Sequence, residues 1–295
     1  MKKTFTEKGY AKINLHLDVV GFLPDGYHEV RTVMQSISLF DDITLSDVER
    51  IDGEPSFFVG CNVEGVPCDG KNLAVRGAKL FCEKVGYSVS AKIDIQKNIP
   101  MAAGMAGGSA DAAATLRALN RAFDYPLTLS ELCELGARLG ADVPFCIVGG
   151  THYADGRGDR LGDFPKMPDC VIVAACEGEG VSTPWAYRLL DEVYEKFDPH
   201  RYTPRSIDPL RDAMASGIIG DVSKAMYNVF EEPVLSLRPE AARVKKLMLE
   251  GGALSAMMSG SGPSVFGIFA CEKCAAGAVS LLEQNGYRGY ICRPV

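Results

Sequence analysis

The chain has 295 residues, 47% of them hydrophobic and 23% charged, with a formal net charge of −7. That is enough apolar material for one large or two medium cores, and it excludes disorder as the main state. An acidic chain without a basic run is a poor nucleic-acid binder, no run of about 18 apolar residues marks a membrane span, and the charged start MKKTFTEKGY lacks the apolar stretch of a signal peptide, so a cytoplasmic protein is expected.

Residues 11–20, AKINLHLDVV, alternate strictly. Ile13, Leu15, Leu17 and Val19 face one way and Lys12, Asn14, His16 and Asp18 the other, which predicts a half-buried strand. PDGYH (24–28) reads as a turn, and 42–49 and 56–63 as further strands. Residues 72–86 read as a helix closed by Gly86, and 89–97 as an alternating strand. A loop, NIPMAAGMAGG, then leads into an alanine-rich helix from Ser109 to about Phe123, with Ser109 as its N-cap. A helix is expected over 129–140. The turn-rich stretch 149–169 is the expected junction between domains 1–160 and 161–295. After it come an apolar strand (170–176), a helix (183–196), short helices (206–250), two strands around a Gly/Ser turn, a helix (272–285) and a last strand (288–292). The second half therefore reads as an α+β layer, one sheet covered on one face.

Glycine is the compositional outlier, with 31 residues, about one in ten where ~7% is usual. Extra glycine means many turns, or a backbone that must approach a ligand closely. The ten cysteines are too sparse for a disulfide scaffold and are expected to be reduced. Cys271-x-x-Cys274 is the one CxxC, without a second pair or a nearby His to complete a zinc site.

Five features could carry chemistry, and each also has a plain structural reading. In IPMAAGMAGGSADAAATLRALN, the N–H groups of a helix start and of a loop containing Gly104, Gly107 and Gly108 could cradle a polyphosphate; the plain reading is a core helix behind a flexible loop. Neither G-x-x-x-x-G-K-[ST] nor G-x-G-x-x-G is present, which argues against a Walker loop and a Rossmann site. The face Lys12/Asn14/His16/Asp18 is either solvated or turned to a polar ligand. Tyr27 and His28 form either a plain turn or a flat aromatic beside a hydrogen-bonding ring. Asp142, in GADVPFCIVGG, is either a helix N-cap or a carboxylate that needs a partner among apolar neighbours. Gly260-Ser261-Gly262 is either a hairpin turn or a second ligand-facing loop.

In order and spacing these motifs resemble the small-molecule kinases named after galactokinase, homoserine kinase, mevalonate kinase and phosphomevalonate kinase. The matching stretches are AKINLHL, PMAAGMAGGSADAAA and MSGSGPSVFGIF. Within that group, DGYHEV, GADVPFCIVGG and GVSTPWAY are similar to the branch acting on 4-diphosphocytidyl-2-C-methyl-D-erythritol.

The resemblance implies a two-domain α+β kinase fold. Its N-terminal nucleotide-binding α/β domain is ribosomal protein S5 domain 2-like, and its C-terminal domain is ferredoxin-like. It implies ATP-dependent phosphorylation of the substrate's 2-hydroxyl, a step of the non-mevalonate route to isoprenoids. It makes Lys12 and Asp142 the catalytic pair. It places Lys97 and the loop Pro100, Met101, Ala102, Ala103, Gly104, Met105, Ala106, Gly107, Gly108, Ser109 and Ala110 at ATP. It assigns the substrate to Asn14, Tyr27, His28, Thr183, Tyr187, Gly260, Ser261 and Gly262. Tyr27 and Tyr187 would bracket the cytosine, with Trp185 a rival to Tyr187. The partners implied are ATP and the cytidine diphosphate sugar alcohol, with no nucleic acid and no membrane. Many members carry paired serines where this chain has Ser109-Ala110, so the implied Mg²⁺ is held mainly by ATP phosphates and water.

Overall fold

The computed structural model describes residues 3–176, 180–195 and 202–295. Two compact units interleave along the chain. Unit 1 is residues 1–11, 39–99 and 106–149; unit 2 is 12–38, 100–105 and 150–295. Neither is a single stretch of sequence, because the long strands β1 (Phe5–Phe22) and β2 (His28–Ile51) contribute residues to both.

In unit 1, the second half of β2 pairs antiparallel with β4 (Ser88–Gln96), with Asp42 opposite Gln96 and an irregularity between Ser46 and Glu49. Strand β3 (Ser56–Cys61) runs parallel to β4. Alternation along β4 buries Val89, Ala91, Ile93 and Ile95 and leaves Lys92 and Asp94 outside. Helix α1 (Leu73–Val85) starts where the Asn72 side chain accepts the Ala74 N–H at 2.8 Å. It stops at Gly86, whose φ of 76° is left-handed. Helix α2 (Gly107–Ala122) buries a run of alanines. Helix α3 (Leu129–Ala137) opens with a Thr128/Glu131 capping box, and α4 (Asp142–Val148) follows it.

In unit 2, β2 pairs with β5 (Thr151–Asp155), which forms a hairpin with β6 (Arg160–Asp163). The chain passes from unit 1 to unit 2 at Gly149/Gly150, at the start of the turn-rich stretch 149–169, and that stretch itself carries the β5–β6 strand pair. Strand β7 (Val171–Ala175) and helix α5 (Thr183–Val193) follow; the predicted end of that helix at 196 lies outside the described residues. Helices α6 (Asp208–Ser216) and α7 (Ile219–Ala225) precede the two-residue β8 (Tyr227–Asn228), which pairs with β1. Next come α8 (Glu231–Ser236), α9 (Pro239–Glu250), β9 (Ser255–Met258), β10 (Val265–Phe269), α10 (Glu272–Gln284) and β11 (Gly289–Cys292).

The last sheet has the order β11-β7-β10-β9, antiparallel throughout. Numbered in chain order, its strands stand 4-1-3-2, with α9 packed on the sheet from the helical segment after the first strand and α10 from the connection after the third. That is the ferredoxin-like β-α-β-β-α-β arrangement expected from the resemblance. Val171, Val173 and Ala175 pack with Val244, Leu247 and Met248 of α9 and Ala275, Ala278 and Leu282 of α10. Among the described residues, no helix is long and apolar enough to cross a membrane.

Candidate active site

The phosphate-loop candidate begins where β4 ends. Asp41 turns in on unit 1 and accepts the backbone N–H of Asn98 at 2.6 Å and of Ile99 at 2.8 Å through one oxygen. Its other oxygen takes the Lys97 ammonium. Lys97 also donates to Asp111 of α2 at 2.9 Å. One buried lysine thus ties the start of the loop to the helix that follows it. Both carboxylates are buried, and the Asp111 Oδ1 has no hydrogen-bond partner. Burial pushes the Asp111 carboxyl up to about 7, against the pull of Lys97. Burial alone would lower the Lys97 ammonium, but Asp111 and Asp41 together hold it above its ordinary value.

Sequence reasoning assigned Lys97 to ATP and passed over both of its partners. The Lys97 Nζ would lie 3.0 Å from a Cβ added at Gly107, so the lysine sits under the first turn of α2.

That helix starts two residues before the expected Ser109. Its N-cap is Ala106, left-handed at φ 59°, with no side-chain cap, and Ser109 is the third helical residue. The Ala110 N–H already bonds the Ala106 carbonyl at 2.9 Å, and a Cβ at Gly107 would crowd Ile99 Cγ2 at 3.3 Å as well as the lysine. The first-turn N–H groups have no intrahelical acceptor, and the positive end of the helix lies there. Ala102 is also left-handed, at φ 52°. Ala103, Met105 and Ala110 are buried, whereas Met101 and Gly108 are exposed and Pro100 partly so.

Asp142 is the first residue of α4 and half-buried; the N-cap is Ala141, so the expected N-cap role is not observed. Arg117 of α2 positions this helix by donating to the Cys146 carbonyl at 2.7 Å and reaching the Lys8 carbonyl at 2.7 Å.

In unit 2, Lys12, Asn14, His16 and Asp18 are all buried, which excludes the solvated-face reading. Lys12 Nζ donates to Asn14 Oδ1 at 2.8 Å, and Asn14 Nδ2 donates to Thr32 Oγ1 at 2.9 Å. The Asn14 N–H reaches Ser259 Oγ at 3.3 Å. Burial, with help from Arg31 and Arg205, lowers the His16 imidazolium to about 4, so that ring is neutral near pH 7.

The Gly260–Gly262 turn approaches the same group. A Cβ at Gly260 would lie 3.6 Å from Lys12 Nζ and 3.5 Å from Asn14 Oδ1. Asn228, which sequence reasoning missed, braces the turn by donating to the carbonyls of Met258 at 2.7 Å and Gly260 at 2.9 Å. Gly104 packs under it. At φ +72° its Cβ position is 2.8 Å from the Ser259 carbonyl oxygen and 3.0 Å from that of Gly262, a spacing only glycine accepts. Ser261 Oγ meets Thr183 Oγ1 at 3.2 Å.

The aromatic residues separate. His28 pairs with Asp191 at 2.7 Å, and its ring faces Tyr187 at 4.5 Å and Phe22 at 4.6 Å. Trp185 instead lies under Arg238, at 4.9 Å. Tyr27 is exposed, with the Arg157 guanidinium 3.9 Å over its ring.

Residues 72–150 match the GHMP kinases N terminal domain, and residues 209–287 match the GHMP kinases C terminal family. A 4-diphosphocytidyl-2-C-methyl-D-erythritol kinase of Caldicellulosiruptor saccharolyticus is 43% identical over 94% of this chain and 92% of its own length. The chain belongs to this family of GHMP kinases. A relative of the same name from Bacillus cereus is 42% identical over 88% of this chain and 86% of its own. A crystal structure of 4-(cytidine 5'-diphospho)-2C-methyl-D-erythritol kinase superposes with a TM-score of 0.79 at 30% identity, covering 98% of both chains. The family has the two-domain kinase fold expected from the sequence; the loop 100–110 lies within the N-terminal match and Gly260–Gly262 within the C-terminal one.

Proposed function

We propose that this chain transfers the γ-phosphoryl group of ATP to the 2-hydroxyl of 4-diphosphocytidyl-2-C-methyl-D-erythritol, a step of isoprenoid precursor synthesis in the cytoplasm. The reading is carried by the 43% identity to a kinase of that name over nearly the whole of both chains. The glycine loops and the helix start described above support it.

Phosphoryl transfer asks for positioning and charge stabilisation more than for covalent chemistry. The first turn of α2, Gly107 to Ser109, offers N–H groups and a helix dipole to phosphate oxygens. We assign Asp142 to receive the hydroxyl proton and Lys12 to offset charge on the transferring group. Lys97 acts on this loop through Asp41 and Asp111. Asn14, Thr183 and Gly260–Gly262 hold the sugar-alcohol side. His28, Tyr187 and Tyr27 hold the cytosine, by stacking worth about 1–3 kcal/mol per base.

Among the described residues, no group of three or more His, Cys, Asp or Glu is placed to hold a metal. The loop supplies one hydroxyl, Ser109, beside the Ala110 methyl. That donor set fits Mg²⁺ carried on phosphates and water and does not fit a protein cage. When bound, Mg²⁺ neutralises charge on the β- and γ-phosphate oxygens.

The deciding experiment is incubation of the purified chain with ATP and the diphosphocytidyl substrate, with the product's phosphate position read by ³¹P NMR. A phosphomonoester on the 2-oxygen is expected. Transfer to mevalonate or homoserine in preference would refute the assignment.

A further inference from the structure

Helix α10 begins with Cys271-Glu272-Lys273-Cys274, a motif the kinase reading does not use. Cys271 is the N-cap, in extended backbone at φ −153° and ψ 154°, and its sulfur accepts the Cys274 N–H at 3.3 Å. The two sulfurs are 2.7 Å apart and both residues are exposed. Side chains three apart inside a helix hold their Cβ atoms about 5–6 Å apart, too far for a disulfide. The extended N-cap turns the Cys271 sulfur back over the first turn and closes that gap.

We propose that Cys271 and Cys274 form a reversible dithiol–disulfide site for low-molecular-weight disulfides, with Cys271 as the attacking sulfur and Cys274 as the resolving one. In the first step the Cys271 thiolate attacks one sulfur of the small disulfide. A mixed disulfide forms, the small S–S bond breaks, and one small thiolate leaves and takes up the proton Cys271 had released. In the second step the Cys274 thiolate attacks the Cys271 sulfur and expels the second small thiolate, which takes up the Cys274 proton. Two protein thiols are oxidised to one disulfide, and one small disulfide is reduced to two thiols.

The division of labour follows from the hydrogen bonds. The sulfur–sulfur contact, with the Cys274 N–H donating to the Cys271 sulfur, holds the Cys271 thiol below the usual range, while the same sulfur contact holds the Cys274 thiol above it. A zinc site is the competing use of a CxxC. Structural zinc takes four ligands, and among the described residues no third His, Cys, Asp or Glu completes such a group. Cys82, Cys146, Cys170 and Cys292 are buried, so the pair is chemically set apart from them.

The test uses the full chain, reduced and then freed of reductant. Cys68 is exposed as well and serves as the internal control. Peptide mapping after brief alkylation near neutral pH should show Cys271 labelled several-fold faster than Cys68. Oxidised glutathione should remove two hydrogens from the peptide bearing both cysteines, and dithiothreitol should restore them. In Cys274→Ser, glutathione should stay attached to Cys271. In Cys271→Ser, Cys274 should label no faster than Cys68. Labelling of Cys271 no faster than Cys68, or a pair that stays reduced in oxidised glutathione, would overturn the proposal.

Discussion

Replacing Lys97 with methionine tests the loop-anchoring argument most directly. The substitution keeps the length and the apolar stem but removes the cation between two buried carboxylates. Asp41 retains two backbone donors, whereas Asp111 loses its partner at Oδ2 and already lacks one at Oδ1. Removing one side of a buried ion pair costs about 3–5 kcal/mol. Asp111 can relieve part of this by taking a proton, so a net loss of about 3 kcal/mol is expected at pH 8. For a chain of this size that is a fall in Tm of roughly 5 °C.

The assay is urea and thermal unfolding of wild type, Lys97→Met, Asp111→Asn and the double variant. In the double variant the charge at 111 is gone, so Lys97→Met should cost at least ~1 kcal/mol less than it does alone. Because Asp41 sets the N–H groups at the start of the loop, KM for ATP should rise more than kcat falls. A stability loss below ~1 kcal/mol, or strict additivity in the cycle, would refute the reasoning.

Asp111 also makes a pH prediction. Its folded value, about 7, lies above the ordinary 3.8. The native state therefore keeps a proton that the unfolded chain has lost between those two values. The stability it contributes is fully present below about pH 4 and lost as pH rises through 7. Asp111→Asn should thus gain on wild type across that window in urea midpoints, and a flat difference would count against it. Gly104→Ala should destabilise by roughly 2–4 kcal/mol, since its methyl meets two carbonyl oxygens at a left-handed φ. An unchanged unfolding midpoint would show that the turn gives way. Asp142→Asn should leave ATP binding intact and cut kcat by at least ~10², measured by ADP release; near-normal turnover would remove Asp142 from the role. CMP should inhibit competitively against the sugar substrate, and Tyr187→Ala should relieve that inhibition where Trp185→Ala does not. Equal effects would move the stacking role away from the ring that faces His28.

Local signals in the sequence were reliable where one residue type settles one backbone need. Gly86 closes α1 as expected, and the alternation of 89–97 matches β4 and its exposed Lys92 and Asp94. The first half of β2 escaped notice because both its faces are buried. Val33, Met34, Gln35, Ser36 and Ile37 all lie inside, so no polar alternation marks it. The hairpin Thr151–Asp163 reads as a turn-rich junction from its glycines, and its strands exist through the pairing of β5 with β2 and of β6 with β5. Asp41 and Asp111 were invisible for a similar reason. An aspartate in an alanine-rich helix reads as its wet face. Only the register that sets Asp42 opposite Gln96 brings Asp41 to Lys97, a contact 56 residues apart. Strand alternation marks Lys12 and Asn14 locally and turn chemistry marks His28 and Gly260–Gly262, while their assignment to ligands came from the resemblance. Their braces, Thr32, Asp191 and Asn228, come from distant strands and helices.

Ala102 and Ala106 hold left-handed backbone where glycine would be relaxed. Each methyl costs roughly 1–2 kcal/mol in that conformation. Alanine by itself favours right-handed and extended backbone, so the fold around residues 102 and 106 imposes their conformation. The loop is thus held against its own local preference, and glycine at 102 or 106 should raise stability by about 1 kcal/mol, read as a higher urea midpoint. An unchanged or lower midpoint would show that the surroundings compensate the strain. In a chain rich in glycine, the positions where glycine is withheld are as informative as those where it is used.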